Sequence, residues 1–133
     1  MMANTDTQIN IANGLYTIRI EMRDERRSRA SGVIVLCDGR ILGGDTYFYY
    51  SGSYTFQEGK WRGELITQQH TKATGKNLAF GGREVSCGFT GTYSDGKADV
   101  EGTALVGKAS ISFRATLALR ALVKNEHNEA DAQ

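Results

Sequence analysis

Histidine, cysteine and paired carboxylates are the side chains that most often carry chemistry, and this chain places few of them where they can cooperate. Its two histidines are His70 and His127, and its two cysteines are Cys37 and Cys87. A metal centre needs three or four such ligands converging from ordered elements. A nucleophile needs a base within hydrogen-bond reach. His127 falls in a polar C-terminal stretch and His70 stands alone, so neither combination forms, and His70 reads as a surface residue. Cys37 flanks a turn and reads as structural. Cys87 takes an inward strand position and reads as packing. No catalytic residue, metal or cofactor is expected.

Three other groupings have chemical potential. Gly43-Gly44-Asp45 resembles a fragment of a phosphate loop. No helix follows it, and a phosphate cradle needs one. Its plainer reading is a sharp bend, with Asp45 bonding the turn backbone. The stretch Arg23–Arg29 holds four arginines, but two acids interrupt them and no aromatic is interleaved, so it reads as a solvated loop. Tyr47, Phe48, Tyr49, Tyr50 and Tyr54 are numerous enough for a base-stacking platform. Neighbouring strands lack matching lysines and arginines, which favours an aromatic wall and no direct nucleic-acid contact.

These residues sit on strands whose parity is readable. Alternation places Tyr16, Ile18, Ile20 and Met22 on one face of a first strand opened by Gly14. Gly32–Cys37 forms a second strand. Asp38-Gly39, Glu58-Gly59 and Asp95-Gly96 supply the positive-φ pairs of type I′ hairpins, and Gly107-Lys108 suits a type II′ turn. A return strand starts at Ile41 and Leu42, bends at Gly43–Asp45 and continues as a long aromatic strand, Thr46–Gln57. Further strands span Lys60–Thr71, Glu84–Tyr93, Lys97–Val106 and Ala109–Leu119.

Register follows from the turns. Phe56 faces Trp61, Tyr54 faces Gly63, Gly52 faces Leu65 and Tyr50 faces Thr67. In the later hairpins Phe89 and Phe113 flank Gly102, Gly91 faces Val100, and Ala98 faces both Tyr93 and Leu117. Large residues oppose small ones, the way a narrow curved interior is filled. The fold expected is all-β, a single up-and-down antiparallel barrel of about eight strands, closed because closure removes both edges. Leu78 and Phe80, in the longest loop, are placed to plug one end. Leu117–Lys124 is the one candidate for a short helix. Residues 1–12 read as a disordered leader, 13–122 as the barrel and 123–133 as a disordered polar tail.

Composition agrees. A chain of 133 residues with 40% hydrophobic residues, 16 glycines and no proline is one domain rich in turns. A net charge of +1 gives no global bias toward nucleic acid or membrane. No segment has the apolar core of a signal or the length of a membrane span, so the expectation is a soluble cytoplasmic protein with reduced thiols. Inside the barrel, Tyr50, Thr67 and Gln69 bring polar groups beside Ile18, Phe48 and Leu65, the makings of a site for a small apolar ligand. Satisfied interior hydrogen bonds or water are the plainer alternative. Outside it, parity exposes Tyr47 and Tyr49, which with Glu58 form a candidate partner surface. Val33, Val35 and Ile66 join the tyrosines as candidates for a homodimer face.

The stretches Asn13-Gly14-Leu15-Tyr16-Thr17-Ile18, Asp38-Gly39-Arg40-Ile41-Leu42-Gly43-Gly44-Asp45 and Tyr50-Ser51-Gly52-Ser53-Tyr54 resemble the GrlR family, negative regulators of type III secretion gene expression in Gram-negative bacteria. The resemblance covers roughly residues 13–120, and its distinctive core is Gly43, Gly44, Asp45, Tyr50 and Gly52. It implies a lipocalin-like barrel of eight strands, a dimer, and repression by contact with a helix-turn-helix activator that is thereby kept off DNA. One departure stands out. The family's defining regulator has an acidic Glu-Asp-Glu-Asp cluster in the hairpin after the central strand. Here that hairpin is Thr55-Phe56-Gln57-Glu58-Gly59-Lys60, with Glu58 alone beside a lysine. The acidic contact is not carried over.

Overall fold

The computed structural model describes residues 11–23, 29–72 and 84–123. Among them the chain forms eight strands and no helix: β1 (Gly14–Met22), β2 (Arg29–Cys37), β3 (Arg40–Gly44), β4 (Phe48–Gln57), β5 (Lys60–Gln69), β6 (Val85–Ser94), β7 (Lys97–Val106) and β8 (Ala109–Leu122). They pair antiparallel in chain order, and β8 returns to β1, closing the barrel. No helix of the described residues is long and apolar enough to cross a membrane.

Local backbone chemistry sets the turns. Asp38 and Gly39 (φ 49° and 86°), Glu58 and Gly59 (53° and 79°), and Asp95 and Gly96 (49° and 77°) are left-handed pairs, and Gly107 alone is positive in the last turn. These are the I′ and II′ geometries expected from the sequence. The registers follow: Phe56 opposes Trp61, Tyr50 opposes Thr67, and Gly102 lies between Phe89 and Phe113. A Cβ on Gly102 would come within 2.7 Å of Phe113 Cζ. The glycine is what lets the strand pass under the ring.

The inward residues build one core, in which Tyr16, Met22, Leu36, Ile41 and Val85 are the largest fully buried side chains. At the end that holds the turns at Asp38, Glu58 and Asp95, the filling is aromatic. Tyr54 and Phe89 meet Trp61 edge-on, with ring centroids 5.6 and 4.8 Å away, and Phe56 and Tyr16 meet Tyr93 at 6.2 and 6.3 Å. Each such pair adds about 0.5–1.5 kcal/mol beyond area burial.

Four sequence expectations are corrected. Gly43-Gly44-Asp45 does not bend one long strand; it ends β3, and the chain reverses so that Gly44 opposes Tyr49 and Arg40 opposes Ser53. The cause is Asp45, whose Oδ1 accepts the Tyr47 and Phe48 N–H groups at 3.0 and 2.8 Å while its own N–H donates to the Phe48 carbonyl at 2.9 Å. Of the stretch Leu117–Lys124, the described residues 117–123 hold no helix: β8 runs to Leu122 because its backbone pairs with β1 as far as Gly14. Strand β2 begins at Arg29, opposite Glu21, rather than at Gly32. Ile11 and Ala12, assigned to the leader, are packed on the barrel, with Ile11 buried. Ala12 N–H donates to Tyr93 Oη at 3.1 Å and its carbonyl accepts from Tyr16 Oη at 2.6 Å. At the other boundary, Val123 N–H reaches the Asn13 carbonyl at 3.0 Å. Leu78, Phe80, most of the arginine-rich loop and the rest of the leader and tail lie outside the described residues.

Candidate functional site

Two places merit description as sites, the barrel interior and the outer wall. Inside, a cavity of about 40 Å³ lies in the half of the barrel away from the aromatic end. Ile18, Tyr50, Leu65 and Thr67 line it as expected, joined by Ile34, Cys87, Phe89 and Phe113. Phe48 is buried but does not reach it, and Gln69, though inward by parity, is exposed. Gln69 is the last residue of β5, where the wall no longer encloses its side chain. The cavity is walled by aliphatic and aromatic carbon with one thiol. Burial pushes the Cys87 thiol up to about 11, so it stays protonated and unreactive at neutral pH. Thr67 Oγ1 is buried without a hydrogen-bond partner, as is Trp61 Nε1 at the aromatic end.

Tyr50 reaches from this interior to the rim. Its hydroxyl donates to Asp45 Oδ2 at 2.5 Å. Burial, and then the hydrogen bond to the Asp45 carboxylate with its charge, raise the phenol's pKa well above its ordinary value. The same carboxylate therefore shapes the β3–β4 turn and holds the tyrosine. His70, exposed as expected, packs beside them. Its Nε2 lies 3.0 Å from the Asp45 carbonyl, which can only accept, so Nε2 carries the proton. Nδ1 then accepts from the Thr71 hydroxyl at 2.7 Å. Both ring nitrogens are used in holding the turn. No grouping of His, Cys, Asp or Glu among the described residues is suited to a metal ion.

The opposite end is tied by a second polar network. Tyr16 Oη spends its proton on the Ala12 carbonyl, so across the 2.8 Å contact Tyr93 Oη donates to Tyr16. Burial, followed by the hydrogen bond to Tyr93, raises the Tyr16 pKa, and burial raises that of Tyr54.

The outer wall carries an apolar face. Register places Leu42, Ser51, Ile66, Ser86 and Leu105 in one cross-strand row over β3 to β7. Leu42, Ile66 and Leu105 are 49, 41 and 57% exposed. A neighbouring row brings Val33 and Tyr49, 45 and 44% exposed, to either side of Gly44. Ridges of large residues on β3, β5 and β7 thus alternate with serine valleys on β4 and β6, and an open groove of about 780 Å³ runs past Ser51, Ser53, Gly88 and Leu105.

The candidate partner residues are not brought together. Tyr49 lies on this face. Tyr47 falls in the turn before β4, so alternation does not govern it, and it is half-buried against the core. Glu58 is exposed at the far end of β4, about 30 Å from Tyr49 at ~3.4 Å per residue. Leu42 and Leu105 were not singled out from sequence, although their outward parity is the signal that finds them. The motif residues Gly43, Gly44, Asp45 and Tyr50 cluster at the reversal, and Gly52 lies under Leu65, whose backbone a Cβ there would strike.

In comparisons with known proteins, the chain matches no protein-family model and no curated protein.

Proposed function

We propose that this chain is a non-enzymatic, cytoplasmic negative regulator of transcription that acts by protein–protein contact. Its partner is a helix-turn-helix activator and its target the type III secretion genes, as the resemblance to the GrlR family implies. The observation that carries the reading is the exposed apolar face of Val33, Leu42, Tyr49, Ile66 and Leu105, gathered over neighbouring strands. Exposed apolar side chains gathered on one wall, here as ridges separated by serines, mark protein contacts. The contact is made by this face rather than by the Glu58 hairpin, which has a single acid beside Lys60.

Affinity purification from the native host tests this. The wild-type chain recovers a helix-turn-helix activator and a Leu42→Glu/Leu105→Glu variant does not; repeated recovery of no transcription factor counts against the reading. A homodimer formed through the same face competes with the activator. Sedimentation analysis with and without the activator's DNA-binding module checks that point.

A second reading, a small apolar ligand in the barrel, is supported by the carbon-walled cavity. Its volume of about 40 Å³ confines the occupant to a few heavy atoms. A rise in melting temperature with short alcohols that is lost in a cavity-filling variant tests it.

A further inference from the structure

The side of the barrel formed by β7, β8, β1 and β2 has a different character from the apolar face. Register arranges its outward residues in cross-strand rows. One row reads Glu101, Arg114, Glu21, Arg29, with charges alternating in sign. It is internally paired: Arg114 and Arg23 lie 3.8 Å from Glu101, and Arg29 lies 3.9 Å from Glu21. The next rows read Asp99, Thr116, Arg19, Ser31 and then Lys97, Ala118, Thr17, Val33. Here cations exceed acids. Arg19, Lys97 and Arg120 form no ion pair among the described residues, and all three are exposed.

Arg120 is positioned by the backbone. The β1–β8 register shifts between Leu15 and Tyr16, so Tyr16 opposes Leu119 and Leu15 opposes Ala121, leaving Arg120 as the extra residue of a bulge. Bulges re-aim side chains. This one sends the Arg120 Nε to Thr17 Oγ1, 2.9 Å away, and the Thr17 hydroxyl can spend its own proton on the Ala118 carbonyl at 3.5 Å. An exposed arginine is thereby held by one nitrogen, and its Nη groups make no hydrogen bond among the described residues. A preheld planar fork of this kind suits a carboxylate. The three cations and one acid, Asp99, border an open groove of about 840 Å³ whose floor includes Thr17, Thr116 and Ala118, leaving an excess of two positive charges. Val33 and Leu15 supply aliphatic surface beside it.

We propose that this groove binds an acidic segment of a partner protein in which carboxylates alternate with aliphatic side chains. The carboxylates pair with Arg19, Lys97 and Arg120, and the aliphatic side chains lie on Val33 and Leu15. Nucleic acid fits the wall less well. A phosphate backbone, charged at every step, cannot avoid Asp99, whereas a segment whose carboxylates are spaced by aliphatic residues can place an uncharged residue there, and the outward positions of these strands hold no aromatic ring for base stacking. The site adjoins the apolar face at Val33, but its cations lie outside that face, so the Arg19 and Arg120 variants test it separately from the regulator reading.

The test is fluorescence anisotropy with the full chain and a fluorescein-labelled peptide of repeated Glu-Leu-Asp. The peptide binds, and its affinity falls as salt rises. Arg19→Glu with Arg120→Glu weakens binding at least about tenfold, and Arg120→Lys, which keeps the charge but loses the fork, weakens it about threefold. Arg62→Glu, on the opposite wall, leaves binding unchanged. The proposal is overturned if the peptide does not bind, if a Gln-Leu-Asn peptide binds equally well, or if the glutamate variants bind as wild type does. It is also overturned if duplex DNA binds more tightly and is lost in the same variants, which makes this a nucleic-acid site. Should the variants fail to fold, salt-independent binding of the peptide to the wild-type chain overturns it as well.

Discussion

The two ends of the barrel solve the same problem differently. Both must fill a narrow space with residues that alternate along strands. At the hairpin end, Tyr16, Tyr54, Phe56, Trp61 and Tyr93 interlock edge to face, and Ile11 and Ala12 fold onto them. At the other, Ile18, Ile20, Ile34 and Leu65 leave a gap of about 40 Å³. Five rings meeting edge to face fill the first end, whereas around the gap Tyr50, Phe89 and Phe113 are interspersed with the aliphatic side chains and leave it unfilled. The difference predicts a stiff end that tolerates no change of volume and a softer end that does.

The largest break in this comparison comes from Trp61→Ala. The indole is almost wholly buried and touches both Tyr54 and Phe89, so its removal costs about 3–5 kcal/mol. Urea denaturation should show the midpoint falling with the slope unchanged. A loss of under ~1 kcal/mol would mean that the aromatic end is loosely packed. Asp45→Ala follows at about 2–3 kcal/mol. It removes the acceptor of the Tyr47 and Phe48 amides and leaves the buried Tyr50 hydroxyl unpaired. In the Tyr50→Phe background the same change costs about 1 kcal/mol less, because no orphan hydroxyl remains, and a double-mutant cycle measures the difference.

Much of this architecture is legible in the sequence. Asp-Gly and Glu-Gly turns have a fixed residue count, and parity then fixes the cross-strand partners, so Phe56 opposite Trp61 and Gly102 beneath Phe113 follow from local chemistry. What escapes is nonlocal. The extension of β8 depends on β1 demanding partners from the far end of the chain. The reversal at Asp45 depends on one carboxylate choosing two amides, and Gly-Gly-Asp permits a bend as readily as a hairpin. The site was legible in parity and obscured at strand ends. Tyr49 faces out as alternation requires, but Tyr47 and Gln69 lie where the strands stop, and enclosure rather than parity decides their exposure.

A smaller effect appears at high pH. The Tyr50 phenol titrates above its unfolded value because burial and the Asp45 carboxylate disfavour its anion. Above about pH 10 the unfolded chain releases that proton and the folded chain keeps it, so stability is intact below that pH and falls as pH rises beyond it, by at most ~1.4 kcal/mol per pH unit for this group. Tyr16, at the stiff end, contributes with the same sign. Tyr50→Phe should flatten the alkaline decline without abolishing it, as thermal melts between about pH 9 and 11 would show. An unchanged slope would assign the decline to Tyr16, Tyr54 and Cys87, whose burial raises their pKa values with the same sign.

The finest test adds the same two methyl groups at each end. Ala98 and Ala115 are both inward and both buried, but Ala98 lies between Tyr93 and Leu117 whereas Ala115 lines the cavity. Ala98→Val has no free volume to enter and should cost about 1–3 kcal/mol by overpacking. Ala115→Val projects into existing space and adds buried apolar area, so it should change stability by less than about 1 kcal/mol, in the stabilising direction. Equal penalties would show that the void relaxes away in solution. A stabilised Ala115→Val chain would establish a standing cavity, and the same variant, by filling that cavity, would then abolish any response to short alcohols.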